Sequence, residues 1–111
     1  MILSKADLLK SKLRTEQIEA FGGEVVIREL PVARLNGLLK QFVNDRGEVD
    51  LRIDEVMLPM FMAGMAEPEF DAEDTEALAG VSGAEVQRVA LAIMRLNGLT
   101  SDAMDDARGE S

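Results

Sequence analysis

The side chains with chemical potential in this chain are carboxylates. Twenty-one aspartates and glutamates stand against 12 lysines and arginines, with no histidine and no cysteine. Without histidine the usual general base near neutral pH is missing, and without cysteine so is the thiolate nucleophile. Both are also the commonest ligands for transition metals. Paired carboxylates can hydrolyse glycosides, but they need a shaped cleft, and a chain of 111 residues has little room to build one. Adjacent Glu73 and Asp74 lack the oxygen ligands alternating around a glycine that a calcium loop uses. No GxSxG elbow or P-loop occurs, and Gly22-Gly23 has no phosphate-loop context. The expectation is a protein that is not an enzyme and holds no metal or cofactor.

Non-covalent recognition is what remains, and two places could perform it. Met57–Met65 reads MLPMFMAGM and holds four of the seven methionines. Methionine is flexible and polarizable, suited to surfaces that must fit varied partners. Met57, Met60, Phe61, Met62 and Met65 are therefore candidate partner-binding residues, set against the plainer reading of a segment buried in the domain's own core. The second place is Leu91, which falls on the polar side of a late helix between Arg88 and Arg95. Such a leucine is often merely exposed; in a protein that assembles, Arg88, Leu91 and Arg95 would form a self-association contact.

The elements that carry these residues follow from periodicity. In Glu24–Val43 the β-branched run Val25-Val26-Ile27 gives way at Pro31 to apolar residues at Val32, Leu35, Leu39 and Phe42. The period changes from two to about three and a half, which predicts a strand feeding a helix over Pro31–Asn44, with the rest packed on that unit. Upstream, Ile18 and Ala20 alternate with Gln17 and Glu19 before Gly22-Gly23, a pair suited to a type I′ turn. That turn would set Ala20 opposite Val25, Ile18 opposite Ile27, Gln17 opposite Arg28 and Glu16 opposite Glu29. A lone hairpin is marginal in water, and the helix after Pro31 is the nearest support.

Ser4 is a candidate N-cap for a short helix with Leu8 and Leu9. Gly37 either admits a neighbouring backbone or is simply tolerated. A further helix is expected from near Asp50, carrying Leu51, Ile53 and Val56 as far as Pro59. Glu67–Asp74 reads as a loop, with Asp71 capping a short helix through Leu78. Ser82-Gly83-Ala84-Glu85 has the form of a capping box. The helix after it places Val86, Val89, Ala90 and Ile93 on one stripe and closes at Asn97-Gly98. The fold class is α+β: one small domain over residues 1–99, with an N-terminal β-hairpin packed on three to four helices, and an acidic mobile tail over 100–111.

Charge narrows the partners. The net charge is −9. Residues 1–14 carry Lys5, Lys10, Lys12 and Arg14 against Asp7, whereas residues 51–80 carry Arg52 against eight carboxylates. Phosphate backbones would be repelled by most of this surface, and neither tyrosine nor tryptophan is present for stacking. The basic N-terminal stretch is either a solvated helix end or a match for an acidic patch on another subunit. The longest uncharged apolar run, Val56–Ala66, is eleven residues interrupted by Pro59. A membrane span needs about twenty, so no membrane role is expected. The N-terminus also lacks the long apolar stretch of a secretory signal.

The order of motifs is a short helix ending LLK (Leu8-Leu9-Lys10), then a hairpin closing on VVIREL (Val25–Leu30) with a helix directly after it. An acidic, aromatic-containing middle follows, and a last helix ends LNGL (Leu96–Leu99). Over roughly residues 5–99 this resembles the tail assembly chaperones of long-tailed bacteriophages and prophages. The resemblance implies a small, cytoplasmic, non-enzymatic protein, absent from the mature virion, that self-associates as a homo-oligomer. It implies two partners, the tape-measure protein, held soluble before the tube polymerises around it, and the tail tube protein. It transfers no active-site residues. The alternatives are a structural virion component, such as a head–tail joining or tail-completion protein, and an acidic mimic of DNA.

Overall fold

The computed structural model describes residues 2–50 and 52–99. Leu51 and the tail from residue 100 onward, on which two of the expectations above rest, lie outside the described residues. In chain order the elements are α1 (Lys5–Leu9), β1 (Thr15–Ala20), β2 (Gly23–Arg28), α2 (Val32–Lys40) and α3 (Ile53–Gly64). Then come β3 (Met65–Glu67), a 3-10 turn (Ala72–Asp74), α4 (Thr75–Leu78) and α5 (Gly83–Leu96). The strands form one antiparallel sheet in the order β1-β2-β3. The class is α+β, as the periodicity predicts, with one hydrophobic core.

The hairpin forms with its inner face as expected but with its register moved by two residues. Ile18 lies opposite Val25 and Ala20 opposite Gly23, so the turn is Phe21-Gly22, with φ of 56° and 79°. A shift of two preserves the faces: Ala20, Val25 and Ile27 stay buried. The expected Gln17–Arg28 and Glu16–Glu29 pairs do not form; Glu19 faces Glu24, and Gln17 Nε2 donates to Glu24 at 2.6 Å. Positive φ at a phenylalanine costs on the order of 1–3 kcal/mol. Tertiary contacts hold it there. The ring meets Phe61 edge-on at 6.0 Å, and the Phe21 N–H donates to Glu85 Oε1 at 3.1 Å.

The helix after the hairpin is not the centre of the molecule. It spans Val32–Lys40, shorter than expected at its C-terminal end, and only Leu38 is buried; Val32 is 76% exposed. The hairpin's support is α5, which touches β2 and packs most extensively on α3. Helix α3 passes through Pro59 instead of ending there. An interior proline costs roughly 3 kcal/mol. Val56, Met60 and Phe61, all essentially inaccessible to solvent, offset that cost by burial.

The α3–α5 contact closes at Gly64, where an added Cβ would fall on the side chain of buried Ile93. Gly64→Ala should therefore lose about 1–3 kcal/mol to overpacking, outweighing a helix-propensity gain of about 1 kcal/mol. The check is a lower urea midpoint at unchanged slope. No atom lies within 4 Å of the corresponding point on Gly37, so Gly37 admits no neighbouring backbone.

Helix ends follow their local signals closely. Ser4 and Ser82 cap α1 and α5, accepting from the N–H groups of Asp7 and Glu85. The Glu85 carboxylate does not reach back to Ser82, so that capping box is half made; the full box belongs to Asp71 and Asp74. Helix α5 ends in a Schellman motif: Leu99 N–H donates to the Met94 carbonyl at 2.7 Å and Gly98 N–H to Arg95 at 3.1 Å. Gly98 takes the left-handed conformation this requires, with φ of 74°.

Candidate functional site

Helix α2 leaves its apolar stripe half covered, and a concavity lies beside it. Leu35, Leu39 and Phe42 are only partly buried against the core. Between α2 and α3 lies a groove of about 660 Å³, walled by Leu38 on one side and Leu58, Pro59, Met62 and Ala63 on the other. Phe70 and the 3-10 turn close its end, and Arg34 and Asp71 stand among its lining residues. The proline earns its place here, since its ring forms wall without needing a donor partner. Gly37 also lines the groove, and its missing side chain widens it.

A second, smaller cavity of about 260 Å³ opens beside the hairpin turn. Phe21, Phe61, Met65, Phe70, Leu78 and Val81 line it, with Val25 and Pro68. Every lining side chain is apolar. Phe61 and Phe70 pack as tilted rings with centroids 5.4 Å apart. Phe21 and Val81 are 41% and 42% exposed, so the cavity meets solvent at a greasy rim.

The methionine-rich candidates divide between core and surface. Met60, Phe61 and Met65 are buried to 1% exposure or less and cannot face a partner, which corrects that part of the expectation. Met57 and Met62 are partly exposed, and of the two Met62 lines the groove, where Thr75 Oγ1 lies 3.7 Å from its sulfur. In an all-apolar run the period alone does not say which residues point outward; α3 answers through its contact with α5. Arg88, Leu91 and Arg95 are all exposed on α5, as the stripe predicts. Arg88, however, is already bound by Glu85 at 2.7 Å.

Sequence reasoning missed the groove itself, because its walls come from two different helices, α2 and α3, that are not contiguous in sequence. The available signal was the glycine in the middle of α2. It also missed the role of Asn97, which does more than end a helix. Its Oδ1 accepts from Leu30 N–H at 2.7 Å, and its Nδ2 donates to the carbonyls of Ile93 at 2.9 Å and Arg28 at 3.4 Å. One side chain thereby ties the end of β2 to the end of α5.

Electrostatics tighten two contacts at the ends of the hairpin. The Arg88 guanidinium, and then the Phe21 N–H, hold the Glu85 carboxyl below the usual range. Arg14, through its side chain and then its backbone N–H, does the same to Glu29, and the Arg14 guanidinium is raised in return. A depressed carboxyl pKa stabilises the fold above the unfolded value of about 4.3 and loses that effect as pH falls through the folded value. Wild type should therefore melt above Glu85→Gln at neutral pH, with the gap closing below about pH 4 in a series of thermal melts.

Among the described residues no cluster of three or more histidine, cysteine, aspartate or glutamate side chains could hold a metal ion. None of the described helices is long and apolar enough to cross a membrane. Compared with family models, curated proteins and solved structures, the chain finds no match.

Proposed function

We propose that this chain is a tail assembly chaperone of a long-tailed phage or prophage, acting in the host cytoplasm and leaving before the virion is complete. It performs no bond-making chemistry. Its client is the tape-measure protein, whose long apolar helices need cover until the tube subunit, the second partner, assembles around them. The supporting observation is the groove between α2 and α3, mainly apolar with Arg34 and Asp71 in its lining, on a body of net charge −9. An amphipathic helix laid into such a groove buries its apolar face, while the surrounding charge keeps the complex dispersed. The order of motifs from Leu8 to Leu99 supports the same reading.

The test is co-expression with a tape-measure fragment that is insoluble alone. Wild type should keep the fragment in the soluble fraction. Gly37→Leu should lose that ability while staying folded, because its side chain enters open space inside the groove and improves helix propensity by about 0.8–1 kcal/mol. Capture unaffected by Gly37→Leu would remove the groove as the client site. Recovery of the protein in stoichiometric amounts from finished particles would replace the chaperone reading with that of a head–tail joining or tail-completion protein.

A further inference from the structure

The segment before β1 is the most exposed apolar part of the described molecule. Helix α1 buries no residue. Ile2, Leu3, Leu8, Leu9 and Leu13 are 96%, 57%, 57%, 73% and 51% exposed. Isolated exposed leucines need no explanation, but five large apolar side chains within twelve residues do. The segment is pinned at its root. Arg14 N–H donates to Glu29 Oε1 at 2.7 Å, Glu29 N–H returns to the Arg14 carbonyl at 2.9 Å, and the Arg14 guanidinium reaches both Glu29 and the Leu96 carbonyl. The arm leaves from a fixed point and buries none of the leucines it carries.

We propose that this arm docks into a second copy of the chain, with the Leu8–Leu9 pair seated in that copy's aromatic cavity. The cavity is wholly apolar and, at about 260 Å³, suits one or two aliphatic side chains instead of a whole helix. Charge complements shape. Lys5, Lys10 and Lys12 surround the leucines, against Asp7 alone, whereas residues 67–76 beside the cavity carry six carboxylates and no basic residue. Glu67 and Glu69 flank Pro68 of the cavity wall, and Glu67, Glu73 and Glu76 make no ion pair among the described residues.

The arm enters at Thr15 and the cavity sits at Phe21, at opposite ends of β1. A strand of that length spans about 17 Å, so the root of the arm and the cavity occupy different places on the surface. An arm on one copy seated in the cavity of another closes as a pair when the arms are exchanged, and otherwise links copies into a ring or an open chain. The cavity is distinct from the groove between α2 and α3 but shares Phe70 with it, so sedimentation of the chain alone, with no client present, tests this contact apart from the proposed function.

Sedimentation velocity of the full chain decides the matter. Wild type should associate with rising concentration, and less in high salt. Leu8→Glu with Leu9→Glu alters only exposed side chains and should weaken association at least about tenfold. Val81→Glu, on the exposed lip of the cavity, should do the same. Mixing the two variants should restore a single 1:1 dimer, one supplying the arm and the other the cavity. Wild type that stays monomeric at every concentration, or an arm variant that associates like wild type, overturns the proposal. So does an oligomer that Leu91→Glu dissolves and the arm variant does not, because that assigns the contact to the outer face of α5. Should Val81→Glu fail to fold, the arm variant alone still decides.

Discussion

Met60→Asp is expected to abolish the folded state, whereas Met62→Asp two residues later is expected to leave it intact. Met60 is fully excluded from solvent, and among the described residues the core contains no buried polar or charged side chain. An aspartate there removes a large apolar side chain, worth about 2–5 kcal/mol on truncation alone. It also leaves a carboxyl without a partner, adding about 1–3 kcal/mol or more. Native domains have only about 5–15 kcal/mol in total, so the sum is comparable with the whole. Met62 is partly exposed on the groove wall, and its aspartate would keep access to water. Circular dichroism should show a cooperative melt for Met62→Asp and none for Met60→Asp. Only the folded variant can then report on client capture, which it should lose. A normal melt for Met60→Asp would mean that α3 does not sit in the core.

Asn97→Ala is expected to cost about 2–3 kcal/mol, more than a helix-terminal asparagine would ordinarily suggest. The change removes one acceptor and two donors at once, and it leaves the Leu30 N–H without its 2.7 Å partner beside a buried leucine. Stranding a shielded backbone donor costs about 1–3 kcal/mol, beyond the loss of each remaining bond. Asn97→Asp separates the contributions, since it keeps the acceptor for Leu30 and loses both donors. Urea midpoints should fall in the order wild type, Asn97→Asp, Asn97→Ala. Equal midpoints for alanine and wild type would show that the link between β2 and α5 is dispensable.

What could be read beforehand was what neighbours in sequence decide. Ser4, Ser82 and Gly98 act within one helical turn, and each does what its type implies. The stripe of α5 is equally local, with four of its buried residues spaced for one face. The hairpin register was not local. Two adjacent glycines make Gly22-Gly23 the easier turn, but Phe61 and Glu85, some forty and sixty-four residues away, select Phe21-Gly22. Pro59 misled for a related reason: a helix breaker is tolerated where burial on both sides of it outweighs one missing hydrogen bond. The exposed trio Arg88, Leu91 and Arg95 was legible because an outward face is simply the complement of an inward one. The methionines were not, because a run apolar on every side has no complement to read.

Phe70 lines both the groove between α2 and α3 and the aromatic cavity. Its ring is a wall common to both. An occupant that pushes the ring out of its packing on Phe61 enlarges its own room and shrinks the one next door. Equilibrium thermodynamics then demands symmetry: whatever factor a guest on one side changes the affinity on the other, the second guest changes the first by the same factor.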